Sequence, residues 1–143
     1  MNTLETTELE TLAVQSDNIL HLPLGLLGFE KIKRYVLLEN PHEAPFRWLQ
    51  VLDDPSLAFL VLPPTLIFPD YAPDLVTTDV EFLELSCPED AMLFNIVTLR
   101  GKNRATVNLK APIVVNHRSL VGKQVVPVNA AHYALEQPLP AGK

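Results

Sequence analysis

The chain has 143 residues, of which 48% are hydrophobic and 20% charged, and its formal net charge is −6. That length suits one domain with its own core, and the composition excludes a chain that is disordered throughout. A single cysteine, Cys87, excludes an intrachain disulfide and fits a reducing compartment.

The opening "MNTLETTELETLAVQSDN" carries no basic residue and no continuous apolar run, so neither a signal nor a transit peptide is expected. No apolar run approaches the roughly 18 residues that span a bilayer. The expectation is a cytoplasmic protein that does not engage a membrane. "ETLAV" (10–14) and "ILHLP" (19–23) are weak strand candidates, joined by the turn-like "QSDN". "RYVLLE" (34–39) and "FRWLQVL" (46–52) are clearer ones. "DDPS" (53–56) has Asp at the first turn position and Pro within, which suits a type I turn into the strand "LAFLVL" (57–62).

The next stretch, "LIFPDYAPDL" (66–75), holds two prolines, two aromatic residues and two aspartates. Prolines at 69 and 73 exclude a regular helix through it. "TTDVEFLEL" (77–85) has Thr78 and Glu81 at capping-box spacing and acids in its first turn, which predicts a short helix starting at Thr78. Val80, Leu83 and Phe82 would then face the body, although Val80 and Phe82 could also alternate in a strand. "AMLFNIVTL" (91–99) reads as a central strand, and "RGKN" (100–103) as a hairpin turn. "ATVNLKA" (105–111) alternates strictly, with Ala105, Val107, Leu109 and Ala111 on one face. "PIVVN" (112–116) and "KQVVPV" (123–128) complete the set. The fold class expected is mainly all-β: a single antiparallel β-barrel-like domain over 1–143, with one or two short helices.

Charge is unevenly distributed. From Trp48 to Leu99 there is no Lys or Arg, while the acids are Asp53, Asp54, Asp70, Asp74, Asp79, Glu81, Glu84, Glu89 and Asp90. From Ala91 to Leu135 there is no acid, and the bases are Arg100, Lys102, Arg104, Lys110, Arg118 and Lys123. The acidic middle argues against direct nucleic-acid binding through that region and for a basic protein partner. The later bases are not interleaved with the aromatic residues that single-strand binding needs, so solvated strand faces and hairpin tips explain them better.

No enzyme signature emerges. His21, His42, His117 and His132 lie at no helical pair spacing and none falls near Cys87 as a metal ligand. There is no glycine-rich phosphate loop, and no nucleophile elbow around Ser16, Ser56, Ser86 or Ser119. Asp53 and Asp54 fit a turn better than an acid–base pair, and Cys87, among acids and before Pro88, reads as a semi-buried, unreactive loop thiol. No catalytic residue, metal or cofactor is expected. A protein-binding surface is: prolines hold "LIFPDYAPDL" in shape, so Phe68 and Tyr71 either anchor a partner or plug the end of the barrel. One arrangement satisfies both, with Phe68 inward and Tyr71 and Asp70 outward.

Several motifs in order resemble the flagellar assembly factor FliW family: "LPLGLLGFE" (22–30), "RYVLLE", "PFRWLQVLDDPSLAFLV" (45–61), "FPDY" (68–71), "LFNIVTL" (93–99), "ATVNLKAPIVVN" (105–116), "GKQVV" (122–126), "HY" (132–133) and "PL" (138–139). The match runs from about 20 to 139; residues 1–15 align poorly and the tail 140–143 lies beyond it. Leu27 stands where the family commonly has proline. The resemblance implies a non-enzymatic cytoplasmic protein that binds flagellin near its C-terminal helical region. It also implies binding to CsrA, a small dimeric RNA-binding repressor of flagellin translation. The resemblance further implies that the two partners exclude each other and that the effect on CsrA is allosteric, so that synthesis would be coupled to export. The expected protein-binding residues are Asp53, Asp54, Phe68, Asp70, Tyr71, Asp74, Leu75, Asp79 and Glu81, in a monomer. The acids would supply a field, and Phe68, Tyr71 and Leu75 would line an apolar groove for flagellin's amphipathic end. The alternative is a generic acidic β-barrel adaptor or chaperone for another basic or amphipathic protein.

Overall fold

Runs rich in Val, Ile, Leu and aromatics, broken by Pro and Gly, fold as strands because side chains alternate across a pleated surface that is buried on one or both faces. The computed structural model describes residues 19–39, 41–54, 56–101 and 104–139. The expected strand 10–14 and the turn after it lie outside these. Among the described residues nine strands form: β1 (Ile19–His21), β2 (Arg34–Glu39), β3 (Arg47–Val51), β4 (Ala58–Leu62), β5 (Ala91–Leu99), β6 (Ala105–Val107), β7 (Ile113–Asn116), β8 (Gly122–Gln124) and β9 (Gln137–Pro138). All named ladders are antiparallel, in the order β1-β2-β3-β4-β5-β6-β9, with β7 pairing β5 and β8. One α-helix, α1 (Thr77–Phe82), is present among the described residues.

The strand expectations hold with trimmed ends. The strict alternation over 105–111 survives in burial, since Val107, Leu109 and Ala111 are buried while Asn108 and Lys110 are half-buried. Pairing stops at Val107, however. Between the pairs Val97↔Val107 and Phe94↔Ile113, three steps along β5 correspond to six along its partner. The extra residues form a kink, closed by the Asn108 carboxamide oxygen, which accepts from the Lys110 and Ala111 N–H groups, both at 3.0 Å. This is a side chain taking over ladder bonds. The ladder of "KQVVPV" ends at Gln124: Val125 N–H still donates to the Pro112 carbonyl (2.9 Å), but Pro112 has no N–H to return and Pro127 none to give.

The sheet does not close into a barrel through a strand ladder. A single parallel bridge, His21↔Val121, spans the gap between β1 and the approach to β8. The inner face holds the main core, including Leu22, Tyr35, Leu49, Val61, Phe94, Ile113 and Val115. The outer face of β5 carries a second core with Leu62, Tyr71, Val97, Val107 and Leu109. A third lies under α1, where Leu83 packs with Val114 and Val125.

The turn 22–30 shows why the glycines stand where they do. Phe29 N–H donates to the Leu26 carbonyl at 2.7 Å, and Gly28 at the third turn position has φ +87°, as a type II turn requires. Leu27 uses its N–H to donate to the Gln124 side chain at 2.9 Å, a bond that proline could not make. Gly25 has φ +68°, and a Cβ there would stand 2.5 Å from the Phe29 carbonyl oxygen and 2.6 Å from Glu30 Cα. Around Gly28 nothing lies within 4 Å of such an atom. Gly25→Ala is therefore expected to cost about 3 kcal/mol and Gly28→Ala about 1 kcal/mol, a difference read directly from their urea midpoints.

Candidate functional site

The stretch 66–75 runs over the outer face of β5. Pro64–Leu66 forms a short 3-10 turn, and the Phe68 N–H donates to the Pro64 carbonyl at 2.8 Å, which turns the chain back across the sheet. Phe68 is half-buried against the second core. Tyr71 is only 5% exposed, and its hydroxyl donates to the Leu109 carbonyl at 2.7 Å. The Asn95 amide donates to the Tyr71 hydroxyl (3.3 Å) and to the Asn108 carbonyl (2.7 Å). Burial pushes the Tyr71 phenol up to about 12. Tyr71 is thus an inward anchor and not the outward-facing ring of the combined arrangement. A ring this size contributes most when buried, and its hydroxyl finds a carbonyl that the kink at 108–112 leaves free.

After Tyr71 the backbone is clamped from the C-terminal segment. Ala72 N–H donates to the Tyr133 hydroxyl (3.1 Å), and the Asn129 amide donates to the Ala72 carbonyl (3.0 Å). Asp74 N–H donates to the Asn129 side-chain oxygen (2.8 Å), and Val128 N–H donates to the Asp74 carbonyl (2.7 Å). The Tyr71 and Tyr133 rings meet edge to face, with centroids 4.7 Å apart.

The N-cap of α1 falls two residues before Thr78, where the capping-box spacing puts it. Val76 is the N-cap and offers no side-chain bond; Thr78 sits inside the first turn. The phase is set instead by burial. Asp79, 4% exposed, faces the sheet and pairs with Lys123, and Leu83 one turn on is fully buried. Val80 is half-buried, but Phe82 is 42% exposed, with the Lys123 ammonium 5.6 Å from its ring centroid. The helix ends in a Schellman motif in which Glu84, at φ 55°, takes the place usually held by glycine: Leu85 N–H reaches the Val80 carbonyl and Glu84 N–H the Glu81 carbonyl. Asn116 donates to the freed carbonyls of Leu83 and Glu84.

Between the strap 71–75, the end of α1 and the loop 86–88 lies an open groove of about 520 Å³. Leu75, Val80, Leu85 and Pro88 line it, with Ala91 and Leu93 of β5 beneath, and Asp74, Ser86 and Cys87 add polar groups. Cys87, expected to be semi-buried, is exposed. Desolvation and the Glu89 and Asp90 carboxylates push its thiol pKa up, which suits an inert thiol. The loop is held by Asp90, whose Oδ2 accepts from Ser86 N–H (2.9 Å), Cys87 N–H (3.3 Å) and the Arg118 guanidinium (2.9 Å). Among the described residues no group of His, Cys, Asp and Glu could hold a metal ion.

Of the expected partner-binding residues, the groove brings together Tyr71, Asp74 and Leu75. Asp70 and Glu81 are exposed, and Asp79 is buried beneath α1. Asp53 and Asp54 stand apart at the β3–β4 turn, where Asp53 pairs with Arg34 and Asp54 accepts from Ser56. That divergence is what a turn produces and an acid–base pair does not.

A family model described as "FliW protein" matches residues 3–139. The chain belongs to the FliW family. It is 36% identical to the flagellar assembly factor FliW of Leptospira biflexa serovar Patoc over 132 residues, covering 91% of this chain and 86% of that one. To the Syntrophus aciditrophicus FliW it is 40% identical over 124 residues, covering 86% and 78%. It superposes on a crystal structure of the flagellar assembly factor FliW with a TM-score of 0.76 at 33% identity, covering 87% of this chain and 85% of that one. This FliW chain is therefore a non-enzymatic flagellar assembly factor. No helix among its described residues is long and apolar enough to cross a membrane.

Sequence reasoning misses the clamps Asn129, Tyr133, Asp90 and Asn116, whose partners lie far along the chain or hang on loop geometry. The segregated charge is the available signal. The acidic middle and the basic end meet as Asp79–Lys123 and Asp90–Arg118. Lys123→Met leaves Asp79 largely buried without its cation, and is expected to cost about 2–4 kcal/mol. Adding Asp79→Leu should restore most of it, and a double-mutant cycle in urea measures both.

Asp90 gives a pH signature. The Ser86 N–H, with help from the Arg118 guanidinium, holds its carboxyl below the ordinary 3.8, against the opposing pull of desolvation. A depressed carboxyl stabilises the fold fully above its unfolded value, and that contribution is lost as pH falls through the folded value. Asp90→Asn should therefore lower the thermal midpoint at pH 7 and flatten its fall on acidification below about pH 4. Parallel acid limbs for the two proteins would remove Asp90 from the acid response.

Proposed function

We infer that this FliW binds flagellin in the cytoplasm and, when flagellin is absent, captures a CsrA-type translational regulator. The observation that carries this reading is an apolar groove lined by Asp74, in a chain whose exposed acids Asp54, Asp70 and Glu81, like Asp74, have no ion-pair partner among the described residues. Flagellin's ends are amphipathic, and before assembly their apolar faces need cover, which a groove supplies. A regulator that holds RNA presents positive charge, and an acidic surface docked beside it attracts the protein and repels phosphate. Occupancy by one partner then excludes the other, so free flagellin sets how much regulator remains active.

The field is smaller than the acid count suggests. Asp53 is neutralised by Arg34 and Asp79 by Lys123, so neither contributes a full charge at a distance. The work falls to the exposed, unpaired carboxylates, in a chain acting as a monomer. Capture from the cytoplasm of the native bacterium should recover flagellin. Triple replacement of Asp54, Asp70 and Glu81 by the matching amides should slow association with the regulator severalfold at low salt and flatten the dependence of the on-rate on ionic strength. An unchanged salt slope would remove the field from the mechanism.

A further inference from the structure

The groove's walls carry different information about what fits between them. The strap wall, Ala72 to Asp74, has its backbone held at both ends by Asn129 and Tyr133, so it does not need ordering on binding. The opposite wall is the last turn of α1 and the loop that Asp90 ties down. All the lining residues fall between positions 71 and 93, inside the span that contains no Lys or Arg. The mouth is therefore acidic without compensation from the lining. Asp74 lines it, and Glu84 and Glu89, next in sequence to Leu85 and Pro88, are exposed; none of the three has an ion pair among the described residues.

We propose that this groove seats one amphipathic helical segment, apolar face against Leu75, Val80, Leu85 and Leu93, with a Lys or Arg beside that face meeting Asp74. The occupant's charge follows from complementarity: a basic flank gains at this mouth, whereas an acidic flank meets like charge. The volume accepts a few large aliphatic side chains, a turn or two of a helix. On the reading given above, which this inference rests on, the segment belongs to flagellin's helical end. Asp74 is then a specificity-determining residue, and Glu39, exposed at the end of β2, is outside the seat.

The chain carries its own reporter, because its one cysteine, Cys87, is exposed on the groove wall. The test measures binding of the bacterium's monomeric flagellin to four forms: the native chain, the chain alkylated at Cys87 with a bulky maleimide, Asp74→Lys, and Glu39→Lys. Expected are a loss of roughly tenfold or more in affinity for the alkylated chain and for Asp74→Lys, near-native affinity for Glu39→Lys, and protection of Cys87 from alkylation by bound flagellin. Thermal midpoints identify any form that fails to fold, and protection on the native chain needs no variant. Native-like binding by the alkylated chain, or no protection of Cys87, overturns the seat while leaving flagellin binding intact. If the native chain does not bind flagellin, the functional reading fails first and the inference goes with it.

Discussion

The structure depends on β5 being covered on both faces. Phe94 points into the main core, while Leu93, Asn95 and Val97 point the other way, so the sheet cannot leave its outer face in water. β4 reaches β5 by only two register pairs, and the connection between them supplies the missing layer. That connection contains the proline-rich strap and α1. The strap covers Val97 and Asn95 with Phe68 and Tyr71, and α1 covers Val114 with Leu83. Where the two pieces of cover part, Ala91 and Leu93 are left at the bottom of an open groove. The groove is thus the unfilled seam in a layer that the central strand demands.

Polar groups decide how that layer sits. Apolar contacts are tolerant of small shifts, but buried donors and acceptors are not. The Tyr71 hydroxyl, the Asn95 amide and the kink carbonyls of Asn108 and Leu109 form one connected set, so the strap can cross β5 at only one place. Asp79 and Asp90 do the same for α1 and its following loop, each finding its cation in the base-rich C-terminal third. The charge segregation along the chain is in part the imprint of this docking. What the pairing does not consume is left on the surface as negative field.

Much of this architecture is legible in the amino-acid sequence. Period and flanking turns mark the strands, and Ala91–Leu99 and Arg34–Glu39 fall where the apolar runs place them. The helix is legible as an element but not in phase: Thr78 and Glu81 have the right spacing for a capping box, yet tertiary burial of Asp79 and Leu83 overrides the local cap. The kink at Asn108 is hidden inside an alternation that burial preserves and hydrogen bonding does not. Tyr71, Asp74 and Leu75 come forward because prolines mark their segment. Leu85, Cys87 and Leu93 do not, since nothing local says that a helix terminus, a loop and a strand face will converge.

The prolines of "LIFPDYAPDL" take on a definite meaning in this light. A strap that must both complete a core and form one wall of a binding groove has conflicting demands, because flexible cover is cheap to fit but costly to order when a partner arrives. Pro69 and Pro73 restrict the free chain, Tyr71 between them is locked into the core, and Asn129 and Tyr133 take up the polar groups of Ala72 and Asp74. The same bonds that satisfy the backbone also fix the direction in which Asp74 leaves the strap. Stability and recognition are therefore carried by one set of contacts. The inward ring holds the wall, and the outward carboxylate is the part of it a partner would meet.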